Sequence, residues 1–304
     1  MRVGKKFRIL AILAFILALP AGLNATEASS ALTPASSESA TIPLGPTLRQ
    51  IIGEIDRRRL PLRSLSAQMK VRLTRQNGDS NSLDAAYIGD DHGNLRLRLT
   101  GPFGILALDL ALHNGRISCW MPLQKRAVSG SRAEILADGT SELALLASIG
   151  NASDMFFPRP WIEGAMLRRA NLNGEQLVIR AFDSGEKNCL ANYIINPAQR
   201  AVSSQQIFNR SGRALGLAEY PEFCAVSALL DSKTPVTSFD SAQLFPRKIR
   251  FADAGGRLSL DIVVEKIALN PQLAEKSFAL KLPSDLVVSD IGEMLAAGKE
   301  LFSK

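Results

Sequence analysis

The stretch "NLRLRLTGPFGILALDL", residues Asn94 to Leu110, changes character at its middle. Leu95, Leu97 and Leu99 alternate with Arg96, Arg98 and Thr100, the period of two that marks a half-buried strand. From Ile105 onward the residues are apolar almost throughout, with Asp109 as the exception. Between the halves lies Thr100-Gly101-Pro102-Phe103-Gly104, a turn by its glycines and proline, with Phe103 at a tip where a polar residue is expected. A hairpin of this kind needs a sheet with one apolar face, and something further to explain the tip and the second strand.

The alternation spreads outward from it. Leu65, Ala67, Met69, Val71 and Leu73 alternate with Ser66, Gln68, Lys70 and Arg72 before the turn "QNGDSN". Further strands are predicted near residues 83–88, 105–112 and 116–121, with a short one near 125–128. The pattern resumes in "AMLRRANLNGEQLVIRAF" and "CLANYIINPAQRAVSSQQIFNRSGR", and ends in a hairpin turning at Ala254-Gly255-Gly256. Residues 216–240 read as loop with a short helix. Helical spacing appears at Leu48, Ile51, Ile52 and Ile55, opened by Pro46 and ended by Pro61. A second helix is expected over 140–150, capped by Thr140, and a third after the capping pair Asp290 and Glu293. The expected fold class is α+β: an incomplete, half-open antiparallel β-barrel of about ten or eleven strands, with two or three helices as a lid, because an open sheet of that size closes or splits.

The amino terminus is of another kind. Arg2, Lys5, Lys6 and Arg8 precede an apolar run from Ile9 to Leu19, then Pro20 and small residues to Ala25. Residues 1–25 therefore read as a cleavable signal peptide, with an uncleaved membrane anchor as the alternative, disfavoured because the run is shorter than the ~20 residues that span a bilayer. Residues 26–45, rich in Ala, Ser, Thr and Pro, read as a flexible linker, and 46–304 as one domain. No cysteine stands near the cleavage point, so the exported chain is expected in the periplasm without a lipid anchor. Removing the leader's four cations from the 36 Lys plus Arg leaves 32 against 29 Asp plus Glu, which withdraws compositional support for nucleic-acid binding. Arg57, Arg58 and Arg59 close the first helix, where cations complement its dipole.

Little in the chain carries catalytic chemistry. His92 and His113 fall in predicted turns without ligand-spaced partners, so no metal site and no cofactor is expected. There is no Gly-x-Ser-x-Gly, phosphate-binding glycine loop or dinucleotide fingerprint, so an enzyme is not expected. Asp109 is expected to face solvent from a strand with one wet face, a tuned acid being the alternative. Three cysteines are too few for a disulfide framework, although a Cys189–Cys224 bridge stays open. The apolar strand faces exceed what a one-sided sheet needs. They fill either a plain packed core or a slot wide enough for hydrocarbon, whose shelter from water is worth roughly 0.8 kcal/mol per methylene.

"LRLRLTGPFGILALDLALHNGRIS", residues 95–118, resembles the third and fourth strands of the LolB lipoprotein receptor family. "FPRKIRFADAGGRLSLDIVVEKIALN" is similar to the closing hairpin of LolB and of the carrier LolA, and "SFALKLPSDLVV" to the carboxyl end of LolA-like chains. The opening helix and "LPLRSLSAQMKVRLT" occupy the matching places. The resemblance implies a half-barrel that carries acyl chains of lipoproteins, or of another lipid amphiphile, in its apolar interior. On that basis the expected lining is drawn from Met69, Val71, Leu95, Leu97, Leu99, Leu106, Leu108, Ile249, Phe251, Leu258, Leu260 and Ile262. It also implies transient contact with inner- or outer-membrane components by a monomer. The family's exposed loop leucine corresponds to Phe103, which either touches acyl chains or a bilayer, or folds back onto the rim. Where LolA-like carriers have an arginine followed by proline, this chain reads Asp91-His92-Gly93-Asn94, a departure that bears on lid control. The alternative function is a sensor or scaffold for a protein partner, built on the same fold with a filled interior.

Overall fold

The computed structural model describes residues 46–59, 62–133, 156, 165–171, 177–185, 187–208, 212, 214–230, 243–253 and 258–291. The leader, the linker, the expected helix over 140–150 and the helix expected after Glu293 lie outside them.

Helix α1 (Pro46–Arg59) leads into β1 (Ser64–Arg75), β2 (Ser80–Asp90), β3 (Leu95–Thr100), β4 (Leu106–His113), β5 (Arg116–Met121) and β6 (Arg126–Ser131). Then follow β7 (Met166–Asn171), β8 (Leu177–Phe182), β9 (Cys189–Asn196), β10 (Ala201–Phe208), β11 (Ala214–Ala225), β12 (Leu244–Asp253), β13 (Leu258–Leu269) and β14 (Val288–Asp290). All belong to one 14-stranded sheet ordered β14-β6-β5-β4-β3-β2-β1-β13-β12-β11-β10-β9-β8-β7. Strand β1 sits at the centre because β13 returns beside it, Leu65 opposite Leu269 and Arg75 opposite Leu258. The ends, β14 and β7, do not pair with each other, so the sheet is open.

Two expectations are corrected. Among the described residues the strand count is 14 rather than ten or eleven, and one of them, β14, runs parallel to its neighbour β6. Among the described residues α1 is the one α-helix longer than a single turn. Residues 214–225 form a strand where a loop was read. Pro221 and Gly216 disguise it, yet Pro221 lies past the part that pairs with β10, which ends at Glu219, and inside an irregular stretch of the β12 ladder. Its missing N–H therefore interrupts no regular ladder bond.

One contiguous apolar core runs from Val128 and Ile291 at one end of the sheet to Ile179, Tyr193 and Val202 at the other. Helix α1 supplies Leu48, Ile51 and Ile55 to it, the stripe that its spacing predicts. Arg200 in the β9–β10 turn ties the helix down, its Nη1 donating to Glu54 Oε2 at 2.6 Å.

The opposite face carries Gln68, Lys70, Arg72, Asp84 and Arg98 into solvent. Over β3–β5 it is covered instead by the chain after β13. There Phe278 is buried against the ring of His113, and Arg96 Nη1 donates to the carbonyls of Ser277 (3.1 Å) and Ala279 (3.2 Å). This crossing segment is why β4 has no wet face.

Candidate functional site

Register places the sequence-derived lining residues. Val71 lies opposite Leu83 and Ile262, and Met69 opposite Ala85 and Val264. Leu95, Leu97 and Leu99 lie opposite Gly89, Tyr87 and Ala85 on one side and Leu112, Leu110 and Leu108 on the other. Ile249 and Phe251 face Ile262 and Leu260. Paired residues share a face, so these ten lining positions form one continuous inner face, and the register sets Leu258 opposite Arg75. Leu106 departs from it. A register shift between Leu99 and Thr100 sets Leu106 opposite Thr100, and it is half-buried outside the core cluster.

The inner face is wider than the sequence reading had it. Leu110, Leu112, Ile117, Cys119 and Met121 continue it and are buried, and the period of two from Leu108 was signal enough to find the first two. Phe156 had no such signal. Its ring is wholly buried, edge-on to Tyr87 on β2 at 5.3 Å between centroids and stacked on Phe245 of β12 at 5.5 Å. Strands β2 and β12 are three places apart in the sheet, about 14 Å along a flat one, so a single ring reaching both records how strongly the inner faces converge.

At one rim the chemistry is reversed. Phe103 is fully exposed, and its backbone is left-handed at φ 64°, ψ 21°, followed by Gly104 at φ 73°. Such a conformation costs a side-chain-bearing residue about 1–2 kcal/mol, and Phe lacks the short polar group with which Asn or Asp offsets it. The Gly104 amide donates to Gly101 O (3.2 Å) and the Gly101 amide to Ile105 O (2.8 Å), which holds the tip in place. Phe103 therefore stands away from the rim, and does not fold back onto it.

Asp109 is a second correction. It is 2% exposed and accepts from Arg96 Nε (2.8 Å) and Nη2 (2.7 Å), with Arg98 Nε at 3.5 Å from Oδ2. Burial of this pair answers to the crossing segment, which removes water from Arg96's face as well. Beside it, Ala111, His113, Arg116 and Ser118 face Phe278, Leu280 and Leu282 across a half-open cleft of about 210 Å³. His113 ends β4 rather than lying in a turn, its Nε2 3.5 Å from Glu275 Oε1. The thiols of Cys189 and Cys224 are free, which closes the question of a bridge between them, and burial pushes the Cys119 thiol up to about 12. Among the described residues no cluster of His, Cys, Asp or Glu is arranged to hold a metal ion, and no helix is long and apolar enough to cross a membrane.

Fold and site together define a class: an open antiparallel sheet with one apolar face, a helix packed on that face and an apolar tip at one rim. No family model and no curated protein matches the chain. Solved structures do. A LolA superfamily protein from Nitrosomonas europaea is similar at 15% identity, over 76% of this chain and 97% of that one, with a TM-score of 0.49. A domain described as an outer membrane lipoprotein-sorting protein, from Vibrio parahaemolyticus, is similar at 11% identity, over 75% and 94%, with a TM-score of 0.48. A DUF1329 family protein from Desulfovibrio piger shares 9% identity over 76% and 95%, with a TM-score of 0.49.

Proposed function

We propose that this protein is a non-enzymatic carrier of the periplasm that receives acyl chains, of lipoproteins or of another amphiphile, against the inner face of its sheet and helps deliver them to the outer membrane. The observation that carries the reading is the continuous apolar inner face from β6 to β12, joined by Leu48, Ile51 and Ile55 of α1, with Phe103 standing free at its rim. The local resemblance of residues 95–118 and 245–270 to LolB and LolA supports it. Acyl binding requires no catalytic group, because each methylene moved out of water contributes roughly 0.8 kcal/mol.

Organic extraction of the purified protein followed by mass spectrometry tests the reading. Stoichiometric lipid is expected from the wild type, and its loss from Leu97→Glu, whose charge would sit between Tyr87 and Leu110. Lipid retained by Leu97→Glu would remove this face from the site.

A second reading, a scaffold for a protein partner with a filled interior, is favoured by Phe156, which already occupies the inner face between Tyr87 and Phe245, and by the burial of Met69, Val71, Leu95, Leu99 and Ile249 within the protein itself. Phe156→Ala separates the two. A carrier takes up more lipid when that ring is removed, whereas a scaffold stays lipid-free and loses stability.

A further inference from the structure

Two buried polar residues, Asp109 and Ser129, lie on the face of the sheet away from the core. Ser129 belongs to a row of Arg96, Ala111, Ser118, Ser129 and Asp290 that runs across β3, β4, β5, β6 and β14. Each of the two holds an arginine, to different ends. Asp109 turns Arg96 toward the carbonyls of Ser277 and Ala279, which commits that guanidinium to the crossing segment. Ser129 Oγ accepts from Arg116 Nε at 2.8 Å, and among the described residues no hydrogen bond uses Arg116 Nη1 or Nη2. Asp290 Oδ2 stands 3.8 Å from Nη2, so it offsets the charge without occupying the fork. A guanidinium held by Nε, with both terminal nitrogens available, has the geometry that recognises a carboxylate.

Arg116 lines the cleft of about 210 Å³ between β4–β5 and the crossing segment, and the other polar groups there are acceptors. Ser129 Oγ donates its one proton to Ile117 O at 3.1 Å, so the 3.0 Å contact between Ser118 and Ser129 takes its proton from Ser118. Ser118 Oγ is left with lone pairs and no proton to give. His113 Nε2 is buried and makes no hydrogen bond among the described residues, and buried polar atoms of that kind are uncommon. With the ring proton on Nδ1, it too accepts. Glu275 Oε1 stands 3.5 Å from it, on a side chain that is 82% exposed and free to swing. Phe278, Leu280 and Leu282 make the facing wall apolar.

We infer that this cleft binds a small zwitterion, an α-amino acid with an apolar side chain. Its carboxylate meets the Arg116 fork, its ammonium donates to Ser118 Oγ, His113 Nε2 and Glu275, and its side chain lies against Phe278, Leu280 and Leu282. A simple anion would leave the acceptors unused and would meet two acids, Glu275 and Asp290. A simple cation would leave the fork unused. Opposite charges on neighbouring atoms answer to both. The cleft is smaller than the roughly 300–1,000 Å³ of pockets for drug-sized ligands, which suits one amino acid and excludes a whole phospholipid. It lies on the outer face of the sheet, so the inference is independent of what the inner face carries. Because the ligand touches both β4–β5 and the crossing segment, its binding holds that segment down.

Calorimetric titration of the purified protein with L-leucine and with L-phenylalanine tests the inference. Leucinamide, which lacks the carboxylate, and N-acetyl-L-leucine, which lacks the ammonium, are the controls. Saturable binding of a free amino acid is expected, with each blocked form at least about tenfold weaker. Arg116→Lys keeps the charge but loses the fork, and should also weaken binding at least about tenfold. Glu275→Gln changes only an exposed side chain, so it leaves the thermal midpoint of the free protein unchanged while weakening binding about fivefold. The absence of both binding heat and thermal stabilisation with either amino acid overturns the proposal. Undiminished affinity in either variant, or for either blocked form, overturns it as well. Phosphoethanolamine bound more tightly than both amino acids would reassign the cleft to a lipid headgroup.

Discussion

Asp109 holds Arg96 through two parallel hydrogen bonds, Nε to Oδ1 at 2.8 Å and Nη2 to Oδ2 at 2.7 Å, beneath the segment that follows β13. The same guanidinium donates onward to Ser277 O and Ala279 O, so one carboxylate orients the residue that fastens the crossing segment to the sheet. Asp109→Ala leaves a mostly buried cation without its counter-ion and should cost about 2–4 kcal/mol in urea unfolding. Arg96→Met combined with Asp109→Leu should recover most of that loss, since apolar replacement of a whole buried pair is often close to neutral.

How far the fold could be read beforehand follows from where water stays. Leu65 to Leu73 and Leu95 to Leu99 each keep one wet face, so alternation revealed both the strand and the side that turns inward. Strand β4 loses its wet face to residues about 170 positions later, and no local pattern announces a cover so distant in sequence. Asp109 accordingly looked like a surface residue. Leu106 was misplaced because a register shift is a property of two strands together, and Phe156 was invisible because its segment has no period. Phe103 was legible for the opposite reason: an apolar residue at a turn tip breaks the local rule, and such breaks fall at strained or functional positions.

Cys119 lies on the inner face with no exposed surface, and burial, with the Asp109 charge behind it, raises its thiol to about 12. Cys189 and Cys224 are only half-buried. At about pH 8 an aromatic disulfide reagent should therefore titrate two thiols in the native protein and the third only after unfolding. Rapid reaction of Cys119 in the native state would mean that the inner face opens to water.

Glu54 is held below its ordinary value of 4.5 by the hydrogen bond from Arg200, and Glu222 by the hydrogen bond from Lys248. Asp183 is held below 3.8, chiefly by the Asn188 side chain. Each binds its proton more weakly folded than unfolded, so the stability it contributes is present above its ordinary value and lost as pH falls through its lower folded value. The thermal midpoint should hold down to about pH 5 and drop below about pH 4. Glu54→Gln should flatten that acid limb, and an unchanged limb would assign the loss to other groups.

The β6 edge is fitted to β14 by an absent side chain. A Cβ on Gly130 would come within 2.8 Å of Ile291 Cβ, and Ile291 is wholly buried. Gly130→Ala should destabilise the protein by about 1–3 kcal/mol through overpacking. Adding Ile291→Gly removes the Cβ that the new methyl would meet, so the double variant should be less destabilised than the two single losses together predict. Additive losses in denaturant titrations would show that the contact at this edge is loose.

Phe103 sets stability against contact. Its side chain buries nothing, so removing it forfeits no packing, while glycine at φ 64° relieves strain worth about 1–2 kcal/mol. Part of that gain is returned as glycine's greater freedom in the unfolded chain, about 0.5–1 kcal/mol. Phe103→Gly should therefore unfold at the same or a slightly higher urea concentration than the wild type, and at the same time bind vesicles more weakly. A variant both less stable and unimpaired in vesicle binding would make the tip a structural element. The combination of greater stability with weaker binding is what a residue retained for what it touches must show.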